Sequence, residues 1–135
     1  MGVSGRRIGL RVMAAIALIF GLLTLVSGGQ VLFGTESHRA AAGDYVGFVV
    51  WFNFLAGFAY IAAGIGLWLG GRWAVWLSLL IAVATLAVFV LFGVHILQGG
   101  RYEMRTVAAM TLRTGTWWVF FLLGRGLLPR VAARN

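Results

Sequence analysis

Hydrophobic positions run along this chain in four long blocks, separated by short polar breaks. The blocks cover about residues 8–33, 45–70, 73–97 and 106–124. Each is near the ~20 residues that a helix needs to cross ~30 Å of hydrocarbon at 1.5 Å per residue. Inside a bilayer every backbone N–H and C=O must be satisfied within the segment, so a chain this short can cross only as helices. The pattern predicts an all-α integral membrane protein: a single transmembrane domain over 1–135, folded as an antiparallel four-helix bundle. Gly70-Gly71-Arg72 predicts a tight hairpin between the second and third blocks. Residues 34–44 form the longest connection, and Ala40-Ala41-Ala42 there suggest a short interfacial helix.

Lipid supplies no hydrophobic reason for helices to associate, so faces of small residues mark the contacts. Ala17, Gly21, Thr24 and Gly28 share one face of the first block, and Asn53, Gly57, Tyr60 and Gly64 share one face of the second. Thr106, Met110, Arg113 and Trp117 line up on the fourth. A second row, Ala62, Gly66 and Gly70, serves packing within the chain or contact with another subunit.

Composition sharpens this picture. The chain is 61% hydrophobic and 10% charged, where a soluble domain carries about 25% charged residues. So few charges cannot coat a water-facing globule. All eleven basic residues are arginine and the net charge is +8. Most of them flank apolar runs, the place for orientation and anionic headgroups rather than for nucleic acid. No cysteine is present, which removes disulfides, thiol redox chemistry and cysteine-held metals. Arg6 and Arg7 before an apolar run, with Val26-Ser27-Gly28 beyond it, imitate a signal peptide; the run is read as a true span.

Arginine placement predicts orientation. Arg6, Arg7, Arg11, Arg72, Arg125, Arg130 and Arg134 fall on one side with no acid. Arg39, Arg101, Arg105 and Arg113 fall on the other with Glu36, Asp44 and Glu103. The positive-inside rule places the first side, and both termini, in the cytoplasm. Pro129 follows the last span, where a helix can stop. Trp68, Trp73, Trp76 and Tyr45, Trp51, Tyr102 sit near the two expected boundaries.

Polar groups gather in the outer half. Arg113 stands about seven residues into the fourth span, roughly 10 Å by helical rise. A charge there costs from about 2.5 kcal/mol upward unless it pairs or reaches water. Glu103, Asp44 and Glu36 are its candidate partners; otherwise it holds a lipid phosphate, a ligand carboxylate or a partner's acid. His95 ends the third span, either as a packing residue or as an axial ligand for haem or a metal, with His38 the only other histidine. No two of the ligand-type residues stand at a recognised metal spacing. Asn53 and Tyr60 face the interior two turns apart, for interhelical hydrogen bonds or a quinone-type ligand.

Catalytic signatures are missing: no HExxH, no phosphate loop, no Ser/His/Asp set. Arginine stays protonated and serves poorly as acid or base. The expectation is therefore a non-catalytic membrane subunit or accessory protein. It would contact lipids and other integral membrane subunits, or further copies of itself, through its helix faces and the outer cluster of Glu103, Arg105 and Arg113, with Tyr102 a further candidate contact. The alternative is a lipid, quinone or small-molecule binder, or a transporter, using Asn53, Tyr60, His95 and Arg113. The nearly uniform apolar inner half argues against a continuous aqueous path within one chain.

The stretch LAGFAYIAAGIGLWLGGRWAVWLSLLIAVATLAVF, followed by VHI, resembles the middle of DoxX-like small four-helix bacterial membrane proteins. It shares with them a glycine-rich helix, a tight turn with a basic residue and an alanine-rich helix. Those proteins often carry an acid on the second helix, where this chain has Tyr60. The resemblance implies a subunit of the bacterial cytoplasmic membrane that works with a partner.

Overall fold

The computed structural model describes residues 3–127, so Pro129, Arg130 and Arg134 lie outside the described residues. The described residues form five helices and no β-sheet: α1 (Val3–Phe33), α2 (Glu36–Ala42), α3 (Gly47–Trp68), α4 (Arg72–Leu97) and α5 (Met104–Leu127). Four of them are long and apolar enough to cross a membrane, and only 33, 33, 28 and 28% of their most apolar windows are buried within the chain. The remaining side chains, such as Leu22, Leu80 and Val90, point outward. An apolar surface this large suits lipid rather than water.

α1 and α3 make the closest seam. A Cβ on Gly21 would stand 2.6 Å from Ile61 Cγ1 and 3.0 Å from the Gly57 carbonyl oxygen; one on Gly64 would stand 2.9 Å from Leu18 Cγ and 3.1 Å from the Ala14 oxygen. Gly28 lies against Phe54 in the same way. Partner numbers fall along α1 as they rise along α3, so the two helices run antiparallel. The small-residue faces read from the sequence thus meet each other, letting the backbones approach.

The second small row is also used inside the chain. Gly66 faces Ala74 and Trp73 of α4, where a Cβ would come within 2.6 Å of the Ala74 Cβ. The turn between α3 and α4 closes through Gly71 N–H to the Gly66 carbonyl at 2.8 Å, with Gly70 at φ +73°. A residue with a Cβ is strained at that angle, which accounts for glycine there. α4 and α5 pair antiparallel through Val75 against Gly124 and Trp76 near Phe121, with Phe92 near Tyr102 just before α5.

The core falls in two parts. The larger joins α1 to the rest through Leu10, Met13, Ala14 and Ala17, packed with Tyr60, Leu67, Ala74, Ile81, Trp117 and Phe120. The smaller is built from Val46, Val49, Phe92 and Met110, and α1 contributes nothing to it. Beyond Phe20, α1 therefore packs its apolar side mainly against α3.

Candidate functional site

That division opens a cleft between α1 and α5. At the arginine-rich end the two helices touch, with Gly9 beside Leu127 and Met13 beside Gly124. Toward the other end they enclose two adjoining compartments. One of about 390 Å³ is polar-mouthed and bounded by α1, α2, the start of α3 and α5; Gln30, His38, Asn53, Glu103, Arg105 and Arg113 line it. The other, about 340 Å³, is walled by Phe20, Leu23, Val26 and Leu112. Thr24, Ser27, Gln30, Ala109 and Arg113 border both. Volumes of this size match small-molecule pockets.

Arg113 stands at the junction, half-buried. It lies nine residues from the start of α5 at Met104, roughly 13 Å along the axis. Its guanidinium donates to Thr24 Oγ1 at 3.4 Å, bridging α5 to α1. None of the three candidate acids reaches it: among the described residues the only ion pair is Arg39–Glu36 at 3.9 Å. Glu103 instead accepts the Asp44 N–H at 2.8 Å. The physical reason is geometric. Glu103 precedes the first turn of α5 and its side chain lies toward the loop, whereas Arg113 projects into the cleft more than two turns deeper.

Behind Arg113 lies a buried polar cluster. The Tyr60 hydroxyl has Thr85, Trp117 and Arg113 as its polar neighbours, and its ring lies 4.8 Å from that of Trp117. Tyr60 OH, Thr85 Oγ1, Trp117 Nε1 and Asn53 Oδ1 are all buried, and none completes a hydrogen bond. Around the Tyr60 hydroxyl the neighbours Thr85, Trp117 and Arg113 are close but off hydrogen-bond geometry. Each such group costs about 1–3 kcal/mol, so the protein tolerates an expensive donor-rich patch beside its one deep cation.

α2 lies at the polar mouth, where His38, Ala41 and Ala42 line the compartment. Thr35 begins it with a reciprocal cap: Thr35 Oγ1 accepts the His38 N–H at 3.4 Å, and His38 Nδ1 accepts the Thr35 N–H at 3.3 Å. An arginine secures each end. Arg39 donates to the Val31 and Gly34 carbonyls, closing α1; Arg105 donates to the Ala41 and Ala42 carbonyls at 3.1 and 3.3 Å. Basic groups suit these helix C-termini. α2 buries no side chain, so these polar contacts are most of what holds it. Replacing Arg105 with alanine, which removes its hydrogen bonds to the Ala41 and Ala42 carbonyls, should speed amide exchange in residues 36–44 about tenfold or more. Unchanged exchange there, measured by mass spectrometry with the long helices as reference, would remove the anchoring role of Arg105.

Asn53, Glu103, Arg105 and Arg113 come together in the cleft, and Tyr60 sits behind it. His95 and Tyr102 do not join them. The His95 Nε2 lies 3.0 Å from the Arg101 carbonyl oxygen and its ring stands edge-on to Phe48, so it secures the loop before α5. Tyr102 packs edge-on to Phe92. His38 lines the polar compartment and His95 does not, and no three His, Asp or Glu side chains among the described residues gather as a metal site.

The sequence reading missed Thr24, Ser27 and Gln30 as site residues. Their spacing of three, on an otherwise apolar helix, was the available signal: it places all three on one side of α1.

No family model, no curated protein and no solved structure matches this chain. The site must then be read from its own chemistry. Its deep groups are hydrogen-bond donors or amides around a permanent cation, with no carboxylate or imidazole at that depth to move a proton. Such an arrangement can hold a hydrogen-bond acceptor beside Arg113.

Proposed function

We propose that this chain is a bacterial inner-membrane four-helix bundle, with both ends cytoplasmic, that binds an amphipathic molecule in the cleft between α1 and α5. The observation that carries the reading is Arg113: a cation deep in a spanning helix, at the junction of a polar and an apolar compartment, with no acid against it. A charge at that depth is costly and calls for a partner. The orientation is supported by Arg6, Arg7, Arg11, Arg72 and Arg125 at the end without acids, while Glu36, Asp44 and Glu103 occupy the other. The cleft then belongs to the outer half of the bilayer.

The accessory-subunit reading drew on Glu103, Arg105 and Arg113 as a docking set. Glu103 and Arg105 both have contacts within the chain, which weakens that set and favours the cleft. The DoxX-like stretch, residues 55–96, supplies none of the cleft lining, so the resemblance fits a small membrane protein without naming what it binds.

Native mass spectrometry after mild extraction from the source membrane tests the proposal. A reproducible small adduct on the wild-type chain, lost in Arg113→Gln, is the expected result. A chain with no adduct that co-purifies with another polypeptide returns it to the subunit reading.

A further inference from the structure

We infer that the cleft takes a single-chain carboxylate amphiphile of the free fatty acid class, its head on Arg113 and its chain in the apolar compartment between α1 and α5. This rests on the cleft-binding reading and adds the chemistry of the ligand.

Charge is the first reason. Arg113 is the only charged side chain bordering both compartments. At the mouth, Arg105 and Glu103 are both engaged with the 41–44 segment, through the Ala41, Ala42 and Asp44 backbone. One guanidinium at depth neutralises one negative charge. A carboxylate meets its planar fork with two parallel hydrogen bonds and leaves a neutral pair. A phosphate monoester would leave a second charge in a poorly solvated place. A zwitterionic head would bring a cation toward Arg113 with no acid beside it.

Hydrogen bonding is the second. Only Thr24 Oγ1 accepts from Arg113, at 3.4 Å, so most of the guanidinium donors remain for a ligand. The amides of Gln30 and Asn53 line the same compartment.

Shape is the third. The apolar compartment is one groove, walled by Phe20, Leu23 and Val26 on one side and Leu112 on the other. A single groove seats a single chain, and a two-chain phosphodiester lipid has no second. Leu23, Val26 and Leu112 are themselves 62, 59 and 58% exposed on the lipid-facing surface. The groove thus opens sideways, and a chain enters from the bilayer without passing α2.

The test uses the full-length protein, delipidated in a non-ionic detergent and offered palmitate, methyl palmitate, palmitoyl-lysophosphatidylcholine or acetate, with bound mass read by native mass spectrometry. Palmitate should be held roughly tenfold or more tightly than methyl palmitate or the lysophospholipid, as a charge-assisted pair requires, and acetate should not be retained. Arg113→Gln should bring palmitate down to the level of methyl palmitate. Leu112→Trp, which fills the groove and leaves Arg113, should weaken both together. Equal retention of the three single-chain probes by the wild type overturns the carboxylate assignment and leaves the cleft reading standing. Retention of acetate as firm as that of palmitate overturns the role of the groove. If none of the probes is held, the fatty acid class is wrong, and the adduct found on protein from its own membrane decides the cleft reading separately.

Discussion

Leucine in place of Gly21 is expected to lower the thermal midpoint of the protein in detergent by several degrees. The added Cβ would meet the Gly57 carbonyl oxygen at 3.0 Å and Ile61 Cγ1 at 2.6 Å. Ile61 is a side chain and can turn aside, but the Gly57 oxygen belongs to the backbone of a helix and cannot. Overpacking of this kind costs about 1–3 kcal/mol. Three further carbons beyond the Cβ would force α1 outward along the seam that holds it to α3. Because α1 is attached to little else beyond Phe20, the loss should also open the cleft. Gly115→Ala is the control, since a Cβ there meets nothing within 4 Å. It should be neutral or stabilise by a few tenths up to about 1 kcal/mol through helix propensity. A Gly21→Leu protein that melts no lower than Gly115→Ala would show that the close approach of α1 and α3 does not hold the fold together.

Arg113→Leu should move stability and binding in opposite directions. In the empty protein Arg113 has one long hydrogen bond, to Thr24, and no acid. Removing the charge from a spanning helix should relieve on the order of 2 kcal/mol, so the variant should melt higher than the wild type. It should also lose the adduct seen by native mass spectrometry. Arg113→Lys keeps the charge and gives up the planar fork, so it should retain the adduct more weakly. A purely architectural arginine behaves otherwise: its loss would lower the melting point and leave any bound mass unchanged. Such a result would remove the ground for both the cleft and its ligand. Sites held under strain or unfavourable burial for function commonly trade stability in this way.

Arg113 shows how far sequence reading reaches. A lone charge within an apolar run is visible from the sequence, because the cost of burying it depends on that run alone. Its partner was not visible. Glu103 is ten residues away in sequence and Asp44 is in another loop; both looked available, yet Glu103 accepts the Asp44 backbone N–H and neither carboxylate reaches Arg113. His95 was open between a packing role and axial ligation, and its Nε2 lies 3.0 Å from the Arg101 carbonyl oxygen. Thr24 was read correctly as part of a packing face, and that reading hid its place in a polar row with Ser27 and Gln30.

By itself, then, the sequence determined the four membrane-length apolar helices, the small-residue faces of α1 and α3, and the one deep charge. These follow from terms that act locally: transfer of each side chain to hydrocarbon, and hydrogen bonding of each backbone group within its own helix. Only the tertiary structure decided that the faces of α1 and α3 meet each other, that α1 leaves the core beyond Phe20, and that a cleft opens there beside Arg113. The reason is that one helix has two sides to share. Close backbone contact at Gly21, Gly57 and Gly64 draws α1 toward α3, and the distance left to α5 is set by that competition rather than by any residue's own preference.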